Sequence, residues 1–229
     1  MPIGVLVNTA VIVLGGLVGS VIGGKLSEEL KQTMTTVFGV CALTMGISSI
    51  VLMKNMPAVI FAVIVGTLVG ILLDLDGKIR SGTGKALTAL HLNIGEDSGL
   101  MVTAIVLFCA SGTGIYGSLT SGMTGDHSIL FAKSILDFFT AMIFACQLKK
   151  AVCLIGIPQL IVMLVLFFSA RLILPLTNDV MIADFKACGG IVLLATGFTI
   201  MGVKKIPVAD MIPAMILAMP LSALWTVLL

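Results

Sequence analysis

Lys133 and Asp137 stand four residues apart in SILFAKSILDFF, residues 128–139, a stretch that is otherwise almost wholly apolar. On a helix that spacing puts both side chains on one face. A carboxylate in apolar surroundings can take up and release a proton or a cation, and an ammonium beside it balances its charge. An aspartate at the centre of a membrane helix costs about 2.5–3.5 kcal/mol on insertion scales. A helical pair at this spacing returns roughly a few tenths of a kcal/mol, and lysine ahead of aspartate is the poorer order. Burial raises the Coulombic gain, but desolvation takes much of it back. Pairing alone does not justify the placement. Asp137 is therefore the expected coupling carboxylate and Lys133 its partner. The alternative is a structural ion pair, or a lysine that reaches outward to the headgroups.

Further polar groups fall inside apolar runs: Asn8, Ser111, Thr113, Gln159 and Asp210. Asn8, Ser111 and Thr113 are expected to contact a solute or ion. Asp210 lies in PVADMIPAM between Pro207 and Pro213. Prolines that close together loosen a helix, so the carboxylate either lines the opening or faces water at the membrane surface.

These groups must be held by membrane helices. The chain has 229 residues, of which 59% are hydrophobic and 10% charged, against about 25% charged in a soluble domain. Its mean hydropathy is +1.21. The apolar blocks have the length that crosses a bilayer, about 20 residues. Eight spans are expected, at 3–24, 33–53, 56–75, 100–119, 129–147, 151–174, 187–203 and 206–229. Asp137 then lies about 12 Å into its span, at 1.5 Å per residue. The longest connection contains GKALTALHL, which suits a short amphipathic helix at the interface. Nine of the thirteen lysines and arginines fall on the side of the odd-numbered loops. The positive-inside rule puts those loops in the cytoplasm and both termini outside.

Sliding the chain on itself by 151 residues sets Asn8 on Gln159, Gly39 on Gly190, Gly46 on Gly197 and Lys54 on Lys205. Spans 1–3 thus resemble spans 6–8. Five spans separate their starts, so the copies cross in opposite senses. Inverted repeats are a recurrent architecture of secondary transporters, with the solute site where the copies meet. The expected fold is a single all-α membrane domain, residues 1–229. Repeat A is 3–75, a cytoplasmic loop with spans 4 and 5 is 76–150, and repeat B is 154–229.

Span 4 is the least lipid-like. Residues 109–128 hold five glycines, four serines and three threonines. Such a segment is either a close-packing face or a broken helix whose freed groups line a cavity.

Other chemistries are excluded. SGTGKA, residues 81–86, lacks the leading glycine and the final Ser or Thr of a phosphate loop, with Ile79 and Ala86 in those places. No cysteine pair or Cys/His cluster has metal-ligand spacing. His91 and His127 fall on opposite sides of the membrane, so a nucleophile–base pair is not expected. The basic residues are scattered and aromatics are few, which argues against nucleic acid.

With VNTAVIVLGGLVGS, LFCASGTGIYGS, GDHSILFAKSILDFF and KKIPVADMIPAM in view, the chain resembles the YqgA/YdfK-like family of bacterial inner-membrane proteins. The likeness runs over nearly the whole length, and GDHSILFAKSILD is its most specific part. The resemblance implies a bacterial cytoplasmic membrane and a shared fold, but no substrate, because the family is a domain of unknown function. Asn8, Lys133 and Asp137 fit its pattern. Asp210 departs from it, where asparagine is expected, and so do Ser111, Thr113 and the QLKK at 147–150.

The expectation is a secondary transporter of a small solute or ion, coupled to protons or cations, and not an enzyme. No cofactor and no metal are implied. The partners are the lipid bilayer and the solute or ion, and a homodimer is compatible with the sequence. A non-transporting membrane scaffold is the runner-up. A channel is less favoured, because no ring of like charges is visible.

Overall fold

A helix in lipid satisfies its own backbone hydrogen bonds, and apolar sequence with few charges takes that form throughout. The structure, a computed structural model, describes residues 1–22, 27–89, 98–109 and 111–228. Among the described residues there are helices and no strands: α1 (Ile3–Ile22), α2 (Glu28–Ile50), α3 (Met56–Leu72), α4 (Leu75–Ala89), α5 (Ser98–Cys109), α6 (Gly112–Thr124), α7 (Ser128–Leu148), α8 (Gly156–Ile173), α9 (Asp179–Ile200) and α10 (Ile212–Leu228). Lys25, His91 and the end of GKALTALHL lie outside the described residues; the rest of that segment is helical in α4.

Among the described residues, about six to eight helices are long and apolar enough to cross a bilayer. Six segments qualify outright, one of them the 49-residue run Ser128–Leu176, and α3 with α4 forms a further pair bent by 49°. A straight run of that length would extend about 74 Å, over twice the ~30 Å hydrocarbon core. It doubles back instead, because Asn8 of α1 bonds both Asp137 of α7 and Gln159 of α8. The reversal lies at Lys149, whose φ of 52° no helix interior adopts, and a 3-10 turn over Lys149–Ile155 follows. Span 4 is broken: α5 stops at Cys109, and α6 starts after Ser111 in extended conformation. Span 7 begins earlier than expected. The Asn178 side chain accepts the Met181 N–H and so starts α9 at Asp179, within polar sequence.

The chain divides into two compact units. One comprises Met1–Thr35 and Ile79–Arg171. In it α1 and α7 run in the same direction, pressed together by glycines. A methyl group on Gly4 would meet Leu130, one on Gly15 the Phe138 carbonyl, and one on Gly19 the Met142 backbone. The hydroxyl-rich α6 is buried along most of its length, antiparallel to α7 and parallel to α8. Its Gly117 faces Leu130, and its Gly122 faces Phe167. Small residues of this kind let membrane helices approach backbone to backbone. The apolar core around them includes Ile12, Phe108, Ala141, Ala145 and Ile155, with a second cluster of Val5, Leu130, Met163 and Phe167.

The other unit comprises Thr36–Lys78 and Leu172–Leu229. Here α2 crosses α9 where Gly39 meets the Gly197 carbonyl and Gly46 the Gly190 carbonyl, each pair reciprocally. In the same way α3 lies antiparallel to α10 and the turn before it, Gly66 against Ala214 and Gly70 against the Asp210 backbone.

Candidate functional site

Four polar side chains from three helices form one chain of contacts in the first unit. Lys133 Nζ lies 2.9 Å from Asp137 Oδ1 and 2.7 Å from Oδ2. The i, i+4 spacing within α7 brings the two together. Asn8 of α1 donates from Nδ2 to Asp137 Oδ2 at 2.9 Å. Gln159 of α8 donates from Nε2 to Asn8 Oδ1, and its Nε2 also lies 3.5 Å from Met163 Sδ. Asn8 and Gln159 are 0% exposed, Lys133 2% and Asp137 7%.

Lys133 therefore does not reach out to the headgroups. Its ammonium turns inward, where a carboxylate one turn deeper neutralises it and the Phe108 ring lies 5.9 Å away. Glycine at 114 makes the space: a methyl group there would meet Met163 Cε at 2.9 Å, Ser111 Oγ at 3.1 Å and Lys133 Cε at 3.2 Å. The break in span 4 thus lies beside the ion pair. Ser111 caps α6 by accepting the Gly114 N–H at 3.1 Å, and its hydroxyl is also 3.1 Å from Thr113 Oγ1.

The amide orientations follow from the carboxylate. Asp137 accepts from Lys133 through both oxygens, and Asn8 presents Nδ2 to it. Asn8 Oδ1 is then an acceptor, and Gln159 must present Nε2. The acceptor left over is Gln159 Oε1, which is buried with no hydrogen-bond partner. Buried side-chain acceptors are nearly always satisfied, and this one has no donor among the described residues.

The structure joins Asn8, Lys133 and Asp137 and adds Gln159, whereas Ser111 and Thr113 bond each other at the start of α6, across Gly114 from Lys133. Asp210 is not among them. It belongs to the other unit, in a 3-10 turn over Val208–Met211, and accepts the Asp76 N–H at 2.9 Å. It is 6% exposed, so it does not face water; it caps the first turn of α4. Sequence reasoning missed Asp184, which is wholly buried in α9 and accepts from Lys54 N at 2.7 Å, Asn55 N at 2.9 Å and Ser222 Oγ at 2.6 Å. The signal available was the tight Lys54–Asn55 hairpin, whose N–H groups need an acceptor. A serine–histidine contact also exists, Ser121 Oγ to His127 Nδ1 at 2.6 Å. Ser121 is buried, and the contact ties the end of α6 to the start of α7.

Comparison with known proteins adds the following. A family model described as "Protein of unknown function (DUF554)" matches residues 3–223. The chain is 48% identical over 231 residues to "Uncharacterized protein YqgA" of Escherichia coli (strain K12), covering 99% of this chain and 98% of that one. It is 22% identical over 220 residues to "Uncharacterized membrane protein YdfK" of Bacillus subtilis (strain 168), covering 93% of each. No solved structure matches.

Proposed function

The chain belongs to the DUF554 family of proteins of unknown function, and from its buried ion pair we propose that it is a secondary transporter of a small solute or ion in the bacterial cytoplasmic membrane. The observation that carries this reading is the Asp137 carboxylate, sunk in an apolar helix and joined to Lys133, Asn8 and Gln159. An intramembrane carboxylate is by default a candidate functional group, and proton and cation sites are among the roles it takes. The polar hydroxyls of Ser111 and Thr113, at the break between α5 and α6, extend it toward a solute. Broken helices in transporters put such groups at the solute site.

We read the 151-residue offset as an inverted repeat, which fits the same function. The counterpart helices α1 and α8, α2 and α9, and α3 and α10 each pack antiparallel, as inversion demands. Asn8 and Gln159, 151 residues apart, bond to each other. The Gly39–Gly197 approach becomes the Gly190–Gly46 approach when the offset is applied to both members. A two-fold interface has this self-complementary form. The charge bias of the loops puts both termini outside.

One observation favours the scaffold alternative: both Asp137 oxygens are already partnered. Three variants, purified and reconstituted in liposomes, separate the readings. Asp137→Asn should fold and insert, yet abolish solute-driven proton movement, because the amide cannot ionise. If the pair only joins helices, Asp137→Asn loses stability and Lys133→Met with Asp137→Leu recovers it. A stable double variant that still transports would refute the coupling role.

A further inference from the structure

We propose that the solute is a monovalent cation and that it exchanges one-for-one with the proton of Lys133. The inference rests on the transport reading above and names the chemistry of the same site.

Lys133 occupies a place built for a cation. Its ammonium lies on both oxygens of Asp137 and beside the Phe108 ring, and it is almost fully enclosed. The one acceptor left without a partner in this cluster, Gln159 Oε1, is wholly buried and separated from Asp137 only by the Asn8 amide. An unpaired acceptor attracts a cation or a donor and repels an anion. Carboxylate, amide oxygen and hydroxyl are also the ligands that hard cations and ammonium groups take. A solute ammonium or a metal monocation would meet Asp137, with Gln159 Oε1 as a further acceptor beyond the Asn8 amide.

Charge fixes the coupling. A buried site holding Asp137 with two cations would carry an uncompensated positive charge, which low-dielectric surroundings penalise heavily. The arriving cation therefore displaces the proton of Lys133 and leaves a neutral amine in place, a change open to lysine and closed to arginine. At one face, Lys133–NH3+ releases its proton to that side and the cation takes the Asp137 carboxylate. At the other face the steps reverse: a proton returns to the amine and the cation departs. Each cycle moves one cation one way and one proton the other, with no net charge. Among the described residues, the titratable groups facing Lys133 are Asp137 on its own helix and, from α5, the Cys109 thiol, which lies within electrostatic reach of both. α1 and α8 present amides, and α6 presents a serine hydroxyl.

The test uses the full-length protein in two measurements. Thermal shift in detergent reads binding of sodium, lithium, potassium and methylammonium chlorides from pH 6 to pH 9. Liposomes loaded with a pH-sensitive dye read proton movement when each salt is added. At least one cation should stabilise the wild type, with apparent affinity rising about tenfold per pH unit while Lys133 holds its proton, the slope of single-proton competition. A metal ion alone as the active probe marks an inorganic substrate, and methylammonium an organic amine. Lys133→Arg keeps the pair and should abolish binding and exchange, since the guanidinium stays charged. Lys133→Gln should bind the same cation with no dependence on pH and exchange no protons. Exchange should be insensitive to an imposed membrane potential. Exchange by Lys133→Arg at the wild-type rate, or binding without pH dependence in the wild type, would overturn the proposal. If protons move only with small anions such as acetate or phosphate, the cation inference fails while transport stands. If protons move with none of these and nothing binds, both fail.

Discussion

Asp184→Ala tests whether a buried carboxylate, rather than helix packing alone, holds the α2–α3 hairpin. Asp184 accepts three hydrogen bonds, two from the backbone of Lys54 and Asn55 and one from Ser222. Alanine leaves those donors unpaired, at about 1–3 kcal/mol each when buried. The two backbone donors belong to a half-buried turn that water can reach, so the low end applies, and the sum is roughly 3 kcal/mol. Asparagine is the informative comparison. Its Oδ1 can keep both backbone donors and its Nδ2 can donate to Ser222 Oγ, so Asp184→Asn should cost only about 1 kcal/mol. Equilibrium unfolding in mixed micelles of dodecylmaltoside and SDS measures both values. Limited proteolysis across residues 51–56 should cut Asp184→Ala faster and leave Asp184→Asn unchanged. Equal losses in the two variants would mean that charge rather than acceptor geometry matters. A loss below roughly 1 kcal/mol in Asp184→Ala would refute the argument.

Gly46→Val should cost roughly 1–3 kcal/mol by overpacking against the Gly190 carbonyl, whereas Gly82→Ala, with nothing near its added methyl, should be neutral or gain about 0.5–1 kcal/mol in helix propensity; micellar unfolding reads both. Ser111→Ala removes the cap of α6 and should cost about 1 kcal/mol, visible as faster hydrogen exchange at Gly114. In a background without native cysteines, Lys78→Cys and Val203→Cys should label only from the cytoplasm and Asp126→Cys only from outside. Labelling of all three from one side would remove the eight-span arrangement.

The helices were largely legible in the sequence, because an unbroken apolar run of about 20 residues has few other fates. The contact of Lys133 with Asp137 was legible too, since helical spacing alone dictates it. Asn8 stood out by type, an amide in an apolar block, but its direct bond to Asp137 depends on α1 lying parallel to α7 along Gly4, Gly15 and Gly19. Nothing local in the sequence specifies that pairing. Gln159 was visible as the repeat partner of Asn8, yet its unpaired oxygen emerges only once every other donor and acceptor is assigned. Asp184 went unnoticed and the partner of Asp210 was not foreseen, for one shared reason. Both accept backbone N–H groups of distant turns, and such partners carry no side-chain signature.

The segment that surrounds the ion pair on one side has a consequence for how the protein is made. Over Leu100–Thr124, 80% of the most apolar window is buried inside the protein. Within it α6 carries Ser118 and Thr120, whose buried hydroxyls have no partner. Its glycine face is matched by α7 and α8, which are synthesised after it. Alone against lipid tails that helix would expose hydroxyls and bare backbone, at a cost its few large apolar side chains do not offset. It must wait at the insertion machinery until the next two helices emerge, and enter the bilayer in their company. Nascent chains arrested when α6 has just cleared the ribosome should therefore leave it accessible to water-soluble reagents, and chains arrested after α8 has also cleared should not.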